Sequence, residues 1–337
     1  MSNKELLEVA LKEAENFYVR YGPPTLRGLF YILVSKGVIP NTVTSYKKLS
    51  KVIAEARYKG EFPWYLIKDT TRWAIPLEKS THYPTKPLTV DEIKAIMKSY
   101  IETYSDVRVN PWEDQKHRIF IVLEKEAQED VCRKLITEAW PLGVKELRVI
   151  RGYDSATDVY MLAEEISHTP ETQRPVVLLL GDFDPSGEDI ARDFAKRLKM
   201  LSRRNDIVIE KVAVTLDQII DLDLPAKPEK PDELKKLRND PRYKSYIEKL
   251  KALSESDDRI KKFIERYGSH EIRVELDALT AIKPEEFKAI LRRAIEKYFD
   301  YEIYENVTKK KEEELKKKAE EVKRQSLEEL KKIFDVL

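Results

Sequence analysis

The sequence predicts an α/β protein in which a parallel sheet is flanked by a helical N-terminal domain and a charged, helical C-terminal region. IFIVL at 119–123 and VVLLL at 176–180 are unbroken apolar runs with the length of strands buried on both faces. LRVI at 147–150 and IVIEKVAV at 207–214 are two further strand candidates. Helical segments separate these runs, and such alternation is typical of a parallel sheet with helices on both sides.

Composition supports a folded, intracellular chain. The 337 residues are 42% hydrophobic, which is enough for two or three domains with their own cores. The single cysteine, Cys132, excludes an intramolecular disulfide and a Cys-rich zinc site, so we expect a reducing, cytoplasmic location. The N-terminal segment is amphipathic and lacks the apolar core of a signal peptide, and we therefore expect no membrane association.

The first domain, predicted at 1–76, contains two short helices after an amphipathic first helix. One is opened by Pro24 or Thr25 and stops near Gly37, and the next starts at about Thr44. Two short helices around a tight turn predict a helix-turn-helix or winged-helix unit, with GEFPWYLI as the wing.

The second of these helices is basic. Residues 1–76 hold 12 Lys and Arg against 7 Asp and Glu, so the basic surplus lies at this end of the chain. We expect the helix to contact DNA through its cations, although a pair of ordinary surface helices would show the same pattern. The predicted DNA-binding residues are Lys47, Lys48, Lys51 and Arg57.

Three further segments complete the predicted organisation. Residues 77–115 are interpreted as a connector with one helix, 116–222 as the α/β domain, and 223–337 as a charged helical region. Glu275 and Asp277 of VELDAL are expected in an exposed loop rather than at the site. The last helix has apolar residues near heptad spacing, which fits either a solvated helix with one buried stripe or a dimerising helix.

Acidic residues follow both long apolar strands. Glu124 comes directly after IFIVL, and Asp182 and Asp184 follow VVLLLG. Because ligands of open parallel sheets bind at the carboxyl ends of the strands, these three side chains should converge there. Grouped carboxylates repel unless a cation neutralises them, and oxygen ligands favour Mg²⁺. Helix capping is the alternative for Asp184, which precedes Pro185, but capping explains neither Glu124 nor Asp182.

These residues resemble the Toprim fold, in which a Glu follows the first strand and an Asp-x-Asp follows a later one. Together with IRGYDSAT, the sequence DFDPSGEDI looks like the A subunit of topoisomerase VI and the related meiotic double-strand-break transesterase, over about residues 116–215. By this resemblance, Glu124, Asp182 and Asp184 would bind Mg²⁺ and Gly152 would line the site. Lys125 and Glu188 are weaker candidates.

The same resemblance implies a catalytic tyrosine on the preceding winged-helix domain. LRGLFY supplies Tyr31, with Arg27 one helical turn earlier, although Phe30 stands where a tyrosine is familiar in the family. A phenol is about one part in a thousand ionised at pH 7, so it needs a nearby cation or base to act as a nucleophile. A core tyrosine on an amphipathic helix is the alternative, because Leu26, Leu29 and Leu33 form an apolar stripe.

The resemblance implies a type IIB topoisomerase-like enzyme. Tyr31, with Arg27 and Glu124, would cleave double-stranded DNA by Mg²⁺-dependent transesterification and form a 5′-phosphotyrosyl link. It also implies a homodimer, a nucleoid-associated location and a separate ATPase subunit, since the chain has no Walker motif. The alternatives are a Toprim nuclease that uses water as its nucleophile and a non-catalytic nucleic-acid-binding protein.

Overall fold

The structure, a computed structural model, describes residues 1–68, 87–104, 107–144, 147–150, 156–228 and 238–336. Two compact units divide the chain: Met1–Thr71 with His117–Tyr298, and Arg72–Lys116 with Phe299–Leu337. The first unit holds the sheet and the helices around it. Gly152, residues 77–86 of the predicted connector and residues 229–237 lie outside the described residues.

The first unit begins with three helices, α1 (Asn3–Tyr21), α2 (Leu26–Ser35) and α3 (Val43–Tyr58). The side chain of Thr25 caps α2 by accepting a hydrogen bond from the Gly28 N–H at 2.8 Å. The two short predicted helices are therefore present at the predicted places.

The segment predicted to be a wing has a different structure in its described part. Trp64–Leu66 forms a 3₁₀ turn, and Lys68 makes an isolated parallel bridge to Thr25. The guanidinium of Arg57 donates to the carbonyls of Trp64 and Ile67, at 3.1 and 3.0 Å. Because Arg57 occupies these acceptors, they are not available to a β-hairpin, and within residues 61–68 no hairpin forms.

A four-stranded parallel sheet forms the centre of the first unit, as predicted. Its strands are β1 (His117–Leu123), β2 (Leu147–Val149), β3 (Arg174–Leu180) and β4 (Val208–Ala213), in the order β2-β1-β3-β4. The central pair, β1 and β3, is in register from His117 opposite Arg174 to Leu123 opposite Leu180. The carboxyl ends of these two strands are therefore level.

Between the strands in the sequence lie the helices α5 (Glu129–Ala139), α6 (Ala156–Ser167) and α7 (Pro185–Ser202), and α8 (Leu216–Leu222) follows β4. Phe120 and Val122 of β1 pack in one core cluster with residues of α6 and α7 such as Leu162 and Phe194. The alternate residues Ile119, Ile121 and Leu123 point to the other face and are also buried. Burial on both faces explains why the strands lack polar alternation.

Four more helices follow in the first unit: α9 (Pro241–Ser256), α10 (Asp258–Tyr267), α11 (Leu276–Ile282) and α12 (Pro284–Glu296). The segment before α11 returns to the sheet edge, where Val274 and Phe183 form an antiparallel bridge. Glu275 and Asp277 are consequently buried, at 4% and 6% exposure. The expectation that they lie in an exposed loop was wrong, because this bridge draws their segment inward.

The second unit contains α4 (Val90–Tyr104), α13 (Tyr301–Ile303) and α14 (Lys309–Val336), with a π-helical turn at Tyr304–Thr308. The rings of Trp112 and Phe299 pack edge to face with centroids 4.9 Å apart. On α14, Leu330 is buried whereas Val322 is exposed. Within the described ranges, no helix is both long and apolar enough to cross a membrane.

Two substitutions on α7 should differ strongly in their effect on the free energy of unfolding, because one side chain is in the core and the other is exposed. Phe194→Ala should lower the free energy of unfolding by ~3–5 kcal/mol, because it removes a fully buried ring and leaves a cavity. Met200→Ala on the same helix should change it by less than ~0.5 kcal/mol, because that side chain is 67% exposed. Urea unfolding followed by circular dichroism measures both, and equal effects would contradict the packing described.

Candidate active site

Glu124 and Asp182 meet at the carboxyl end of the two central strands. The Glu124 N–H donates to the carbonyl of Leu180 at 2.9 Å, which continues the pairing of β1 with β3 by one residue. The Asp182 N–H in turn donates to Glu124 Oε2 at 3.2 Å. The level strand ends therefore bring the first two predicted acids into direct contact.

Two glycines allow this close approach. A Cβ atom at Gly181 would clash with Glu124 Oε2, and one at Gly187 would lie 2.5 Å from the carbonyl oxygen of Asp182. Real Cβ atoms essentially never approach backbone so closely. The backbone before and after Asp182 thus leaves room for the Glu124 carboxylate only because both positions lack a side chain.

Asp184 has the capping role considered from its sequence. Its Oδ1 accepts a hydrogen bond from the Gly187 N–H at 2.8 Å, and Pro185 begins α7. Its other oxygen, Oδ2, lies 4.0 Å from the ammonium of Lys227. One oxygen of Asp184 therefore caps the helix, while the other lies near the ammonium of Lys227.

We call the end of the sheet that carries Glu124, Asp182 and Asp184 the acidic edge. Lys125 neutralises part of its negative charge. Its ammonium forms a short ion pair with Asp182 Oδ2 and lies 3.9 Å from Glu275 Oε1. The other oxygen of Asp182 accepts a hydrogen bond from the Leu276 N–H at 3.0 Å. Lys125, a weaker candidate by sequence, is thus the cation closest to Asp182 among the ion pairs described. Glu188, the other weaker candidate, pairs with Lys211 at 2.6 Å.

Burial and mutual repulsion change the protonation of the acids. Burial, followed by the charge of Asp182, raises the pKa of Glu124 to about 7. Burial is also the main reason that the pKa of Asp182 lies above its ordinary value, and Lys125 opposes that shift. For Lys125, burial alone would lower the pKa, but the charges of Asp182 and Glu275 hold it above its usual range. One more cation would therefore favour the ionised acids.

The donor set matches the chemistry of Mg²⁺, which takes carboxylate and water oxygens. Glu124, Asp182 and Asp184 supply only oxygen ligands, and burial, followed by the charge of Asp182, raises the pKa of Glu124. In the described part of the chain, however, no three or more Asp, Glu, His or Cys side chains are already placed to hold a metal ion. Lys125 occupies an oxygen of Asp182, so a metal would fit after this ammonium has moved.

A second carboxylate, Glu275, connects the acidic edge to the N-terminal helices. Its Oε2 accepts from the Tyr31 hydroxyl at 2.9 Å and pairs with Arg27 Nε at 2.9 Å. Its Oε1 lies 3.3 Å from the ammonium of Lys227. Burial alone would raise the pKa of Glu275, but Lys227, Arg27 and Lys125 together hold it below its ordinary value. Glu275 is thus an ionised carboxylate among three cations.

The predicted pair Arg27 and Tyr31 does share one face of α2, since both side chains reach the same oxygen of Glu275. Tyr31 itself is fully buried, at 0% exposure. Burial first, and then the negative charge of Glu275, raises the pKa of Tyr31 well above its ordinary value. In this conformation the phenol is therefore protonated and inaccessible, and Arg27 is engaged by Glu275 and by the ring of Tyr46, 4.0 Å away.

Comparisons with protein-family models, curated proteins and solved structures found no match.

The basic helix α3 presents most of its predicted DNA-binding cations to solvent. Lys47, Lys48 and Lys51 are exposed, and Lys51 lies 3.8 Å from Glu55 in a weak surface pair. Arg57 differs from the expectation. It is 6% exposed and its guanidinium holds the 3₁₀ turn, so this side chain is not placed to reach a phosphate.

Asp277 forms a second buried network. It accepts short hydrogen bonds from the hydroxyl of Thr25 and the amide of Gln128. Complete burial raises the pKa of Asp277 above its ordinary value. These contacts fix the start of α2 to the segment after β1. Sequence reasoning missed Glu275 and Asp277 as parts of the site, and the acidic spacing in VELDAL was the only signal for them.

The raised pKa of Glu124 predicts a stability that depends on pH. The folded state keeps a proton on Glu124 up to about pH 7, whereas an ordinary glutamate loses it near 4.5. In metal-free solution this carboxyl should therefore cost ~3 kcal/mol of stability as pH rises from about 4.5 to above 7, at 1.36 kcal/mol per pH unit. Glu124→Gln should remove this contribution to the pH dependence of the free energy of unfolding.

Thermal unfolding between pH 5 and pH 8.5 in EDTA measures this effect, with the exposed Glu265→Gln as the matched control. Added Mg²⁺ should stabilise the wild type more at pH 8 than at pH 6, because the ligand must be deprotonated. If the stability of wild type and of Glu124→Gln changed with pH in the same way, the raised pKa of Glu124 would be contradicted.

The Glu275 network predicts a large loss of stability on truncation. Glu275→Ala should cost ~3–5 kcal/mol, because Arg27, Lys227 and Lys125 would lose their common counter-ion. Tyr31→Phe should cost only ~1.5–3 kcal/mol, because it removes one hydrogen bond to a charged group. Glu265→Ala on α10 is the exposed control, and urea unfolding at pH 7 ranks the three variants.

Proposed function

We propose that this chain is a Mg²⁺-dependent DNA-cleaving protein similar to the topoisomerase VI A subunit. The observation that carries the proposal is the hydrogen bond from the Asp182 N–H to the Glu124 carboxylate, which brings the two acidic residues together at the carboxyl end of the central parallel strands. Desolvated carboxyl groups with raised pKa values at this edge are typical of functional sites. Asp184 adds a third carboxylate on the same turn.

Glu124, Asp182 and Asp184 would hold the metal. When bound, Mg²⁺ would stabilise the additional negative charge that develops on the phosphate oxygens during cleavage. Lys125 would then leave Asp182 and become available to a phosphate, because its ammonium is already beside the edge. Because Mg²⁺ would replace the ammonium of Lys125, the negative charge of the buried acids would be balanced both before and after the metal binds.

Tyr31 is the proposed nucleophile. Its oxygen would form a bond to the phosphorus while the bond from phosphorus to the 3′ oxygen breaks. The phenolic proton passes from Tyr31 to solvent water, and the departing 3′ oxygen takes up a proton from water, so the products are a 3′-hydroxyl and a 5′-phosphotyrosyl link. Arg27 would stabilise the ionised phenol, since it lies on the same face of α2.

The buried Tyr31 belongs to a closed state in this proposal. Burial, followed by the charge of Glu275, keeps the pKa of the phenol high, so α2 would have to separate from Glu275 before Tyr31 could reach a phosphodiester. The exposed Lys47, Lys48 and Lys51 on α3 would position double-stranded DNA. We further propose a homodimer, in which the tyrosine of one chain meets the metal site of the other, and a separate ATPase subunit for strand passage.

Hydrolysis by a metal-activated water is the second candidate. The burial of Tyr31 and its hydrogen bond to Glu275 favour it, because both give the tyrosine a structural role. The acidic edge would be unchanged, and the products would carry no covalently bound protein.

A covalent-adduct assay separates the two candidates. The protein is incubated with end-labelled supercoiled or linear DNA and Mg²⁺, and the reaction is stopped with SDS. Wild type should give protein–DNA adducts, and Tyr31→Phe should abolish them because it lacks the attacking oxygen. Asp182→Ala should lower cleavage by at least ~100-fold, because a metal carboxylate is lost.

Cleavage without adducts that persists in Tyr31→Phe and disappears in Asp182→Ala would establish the nuclease instead. Tyr160→Phe is the matched control, since Tyr160 is exposed and lies in the same unit. No cleavage by wild type, with or without an added ATPase subunit, would overturn the proposed activity.

A further inference from the structure

Exposed aromatic rings form two contacting pairs on the N-terminal helices and the turn that follows them. Tyr58 is 84% exposed, Tyr65 62% and Trp64 57%. The Tyr58 and Trp64 rings pack edge to face with centroids 5.6 Å apart, and Tyr65 contacts Tyr18 of α1 at 5.4 Å. We call Tyr18, Tyr58, Trp64 and Tyr65 the aromatic patch. Large rings grouped in solvent mark interaction sites more often than single exposed residues do.

The aromatic patch is held rigidly. The guanidinium of Arg57 donates to the carbonyl of Trp64 at 3.1 Å and lies 5.1 Å from the centroid of its ring. Arg57 itself is buried, so it fixes the 3₁₀ turn from below. Rings that are already ordered lose little conformational entropy when a ligand stacks on them.

The aromatic patch continues into the basic face of α3. Lys47, Lys51 and Tyr58 are spaced by four and seven residues, which places them on one side of a helix. Lys51 is about two turns from Tyr58, or ~10 Å along the axis at 1.5 Å per residue. The exposed lysines of this region, Lys47, Lys48, Lys51 and Lys59, outnumber its exposed acids, Glu55 and Glu61.

We propose that the aromatic patch and the lysines of α3, which would contact a duplex through its phosphates alone, together form a binding site for single-stranded DNA. The rings stack on unpaired bases, and the lysines contact the phosphates that follow along the strand. Aromatic rings beside a positive helix face suit this ligand because each nucleotide presents one flat ring and one negative charge. The choice of DNA rather than RNA rests on the proposed function, whereas the stacking site itself does not.

Charge argues against a second copy of the chain as the occupant. In a two-fold interface the same patch is present on both subunits, so the lysines of α3 would face the lysines of the partner. Like charges placed together across an interface are unfavourable, whereas phosphates complement this surface.

Fluorescence anisotropy with a labelled 20-nucleotide thymidine strand tests the proposal, in EDTA so that cleavage plays no part. Trp64→Ala and Tyr58→Ala should each weaken binding by about 5- to 100-fold, as expected for the loss of one base-stacking ring. Trp64→Phe should retain most of the affinity. Tyr160→Ala removes a ring that is 50% exposed on α6 and should leave binding unchanged.

A strand of the same length without bases is the decisive probe. It should bind wild type and Trp64→Ala equally, because only its phosphates remain. Replacing Lys47, Lys48 and Lys51 by Ala should weaken the binding of both strands and reduce the salt dependence of that binding. Trp64→Ala should leave the salt dependence unchanged.

Several outcomes would overturn the proposal: wild type fails to bind the thymidine strand, Trp64→Ala weakens both strands equally, or a uridine RNA strand binds more tightly than DNA. A change in monomer–dimer equilibrium on Trp64→Ala, with DNA binding intact, would assign the patch to a second copy instead. Asp182→Ala should bind like wild type, so loss of cleavage and loss of stacking are measured separately.

Discussion

The carboxylate of Glu275 lies where the N-terminal helices meet the edge of the sheet, and it is almost completely buried. An ionised carboxylate in that position requires compensation, which Arg27, Lys227 and Lys125 supply while Tyr31 donates a hydrogen bond. Arg27 and Tyr31 lie on α2, Lys125 follows β1 and Lys227 follows α8. The positions of α2, of the segment after β1 and of the segment before α11 are thus coupled through one side chain.

This coupling gives the candidate site two opposing tendencies. Lys125 stabilises Asp182 without a metal, while the raised pKa of Glu124 leaves demand for a further positive charge. Burial, followed by the charge of Glu275, raises the pKa of Tyr31, and the same Glu275 accepts a hydrogen bond from its hydroxyl. In the proposed function, cleavage would depend on separating groups that also stabilise the fold.

The N-terminal helices have two faces with different roles. One face of α2 enters the Glu275 network, whereas the exposed side of α3 and the turn after it present cations and rings to solvent. Arg57 explains the difference between the predicted and the observed role of this region. Its position in a basic helix suggests contact with phosphate, but its guanidinium is needed inside to satisfy two carbonyls.

The sequence alone determined the parallel sheet, because its strands are apolar on both faces, and the edge at which Glu124, Asp182 and Asp184 lie. Local spacing likewise placed Arg27 and Tyr31 on one face of α2. Only the tertiary structure decided that Glu275 and Asp277 are buried beside them and that Tyr31 is inaccessible to solvent. These facts depend on the bridge of Val274 with Phe183, a contact between residues 91 positions apart that no local pattern encodes.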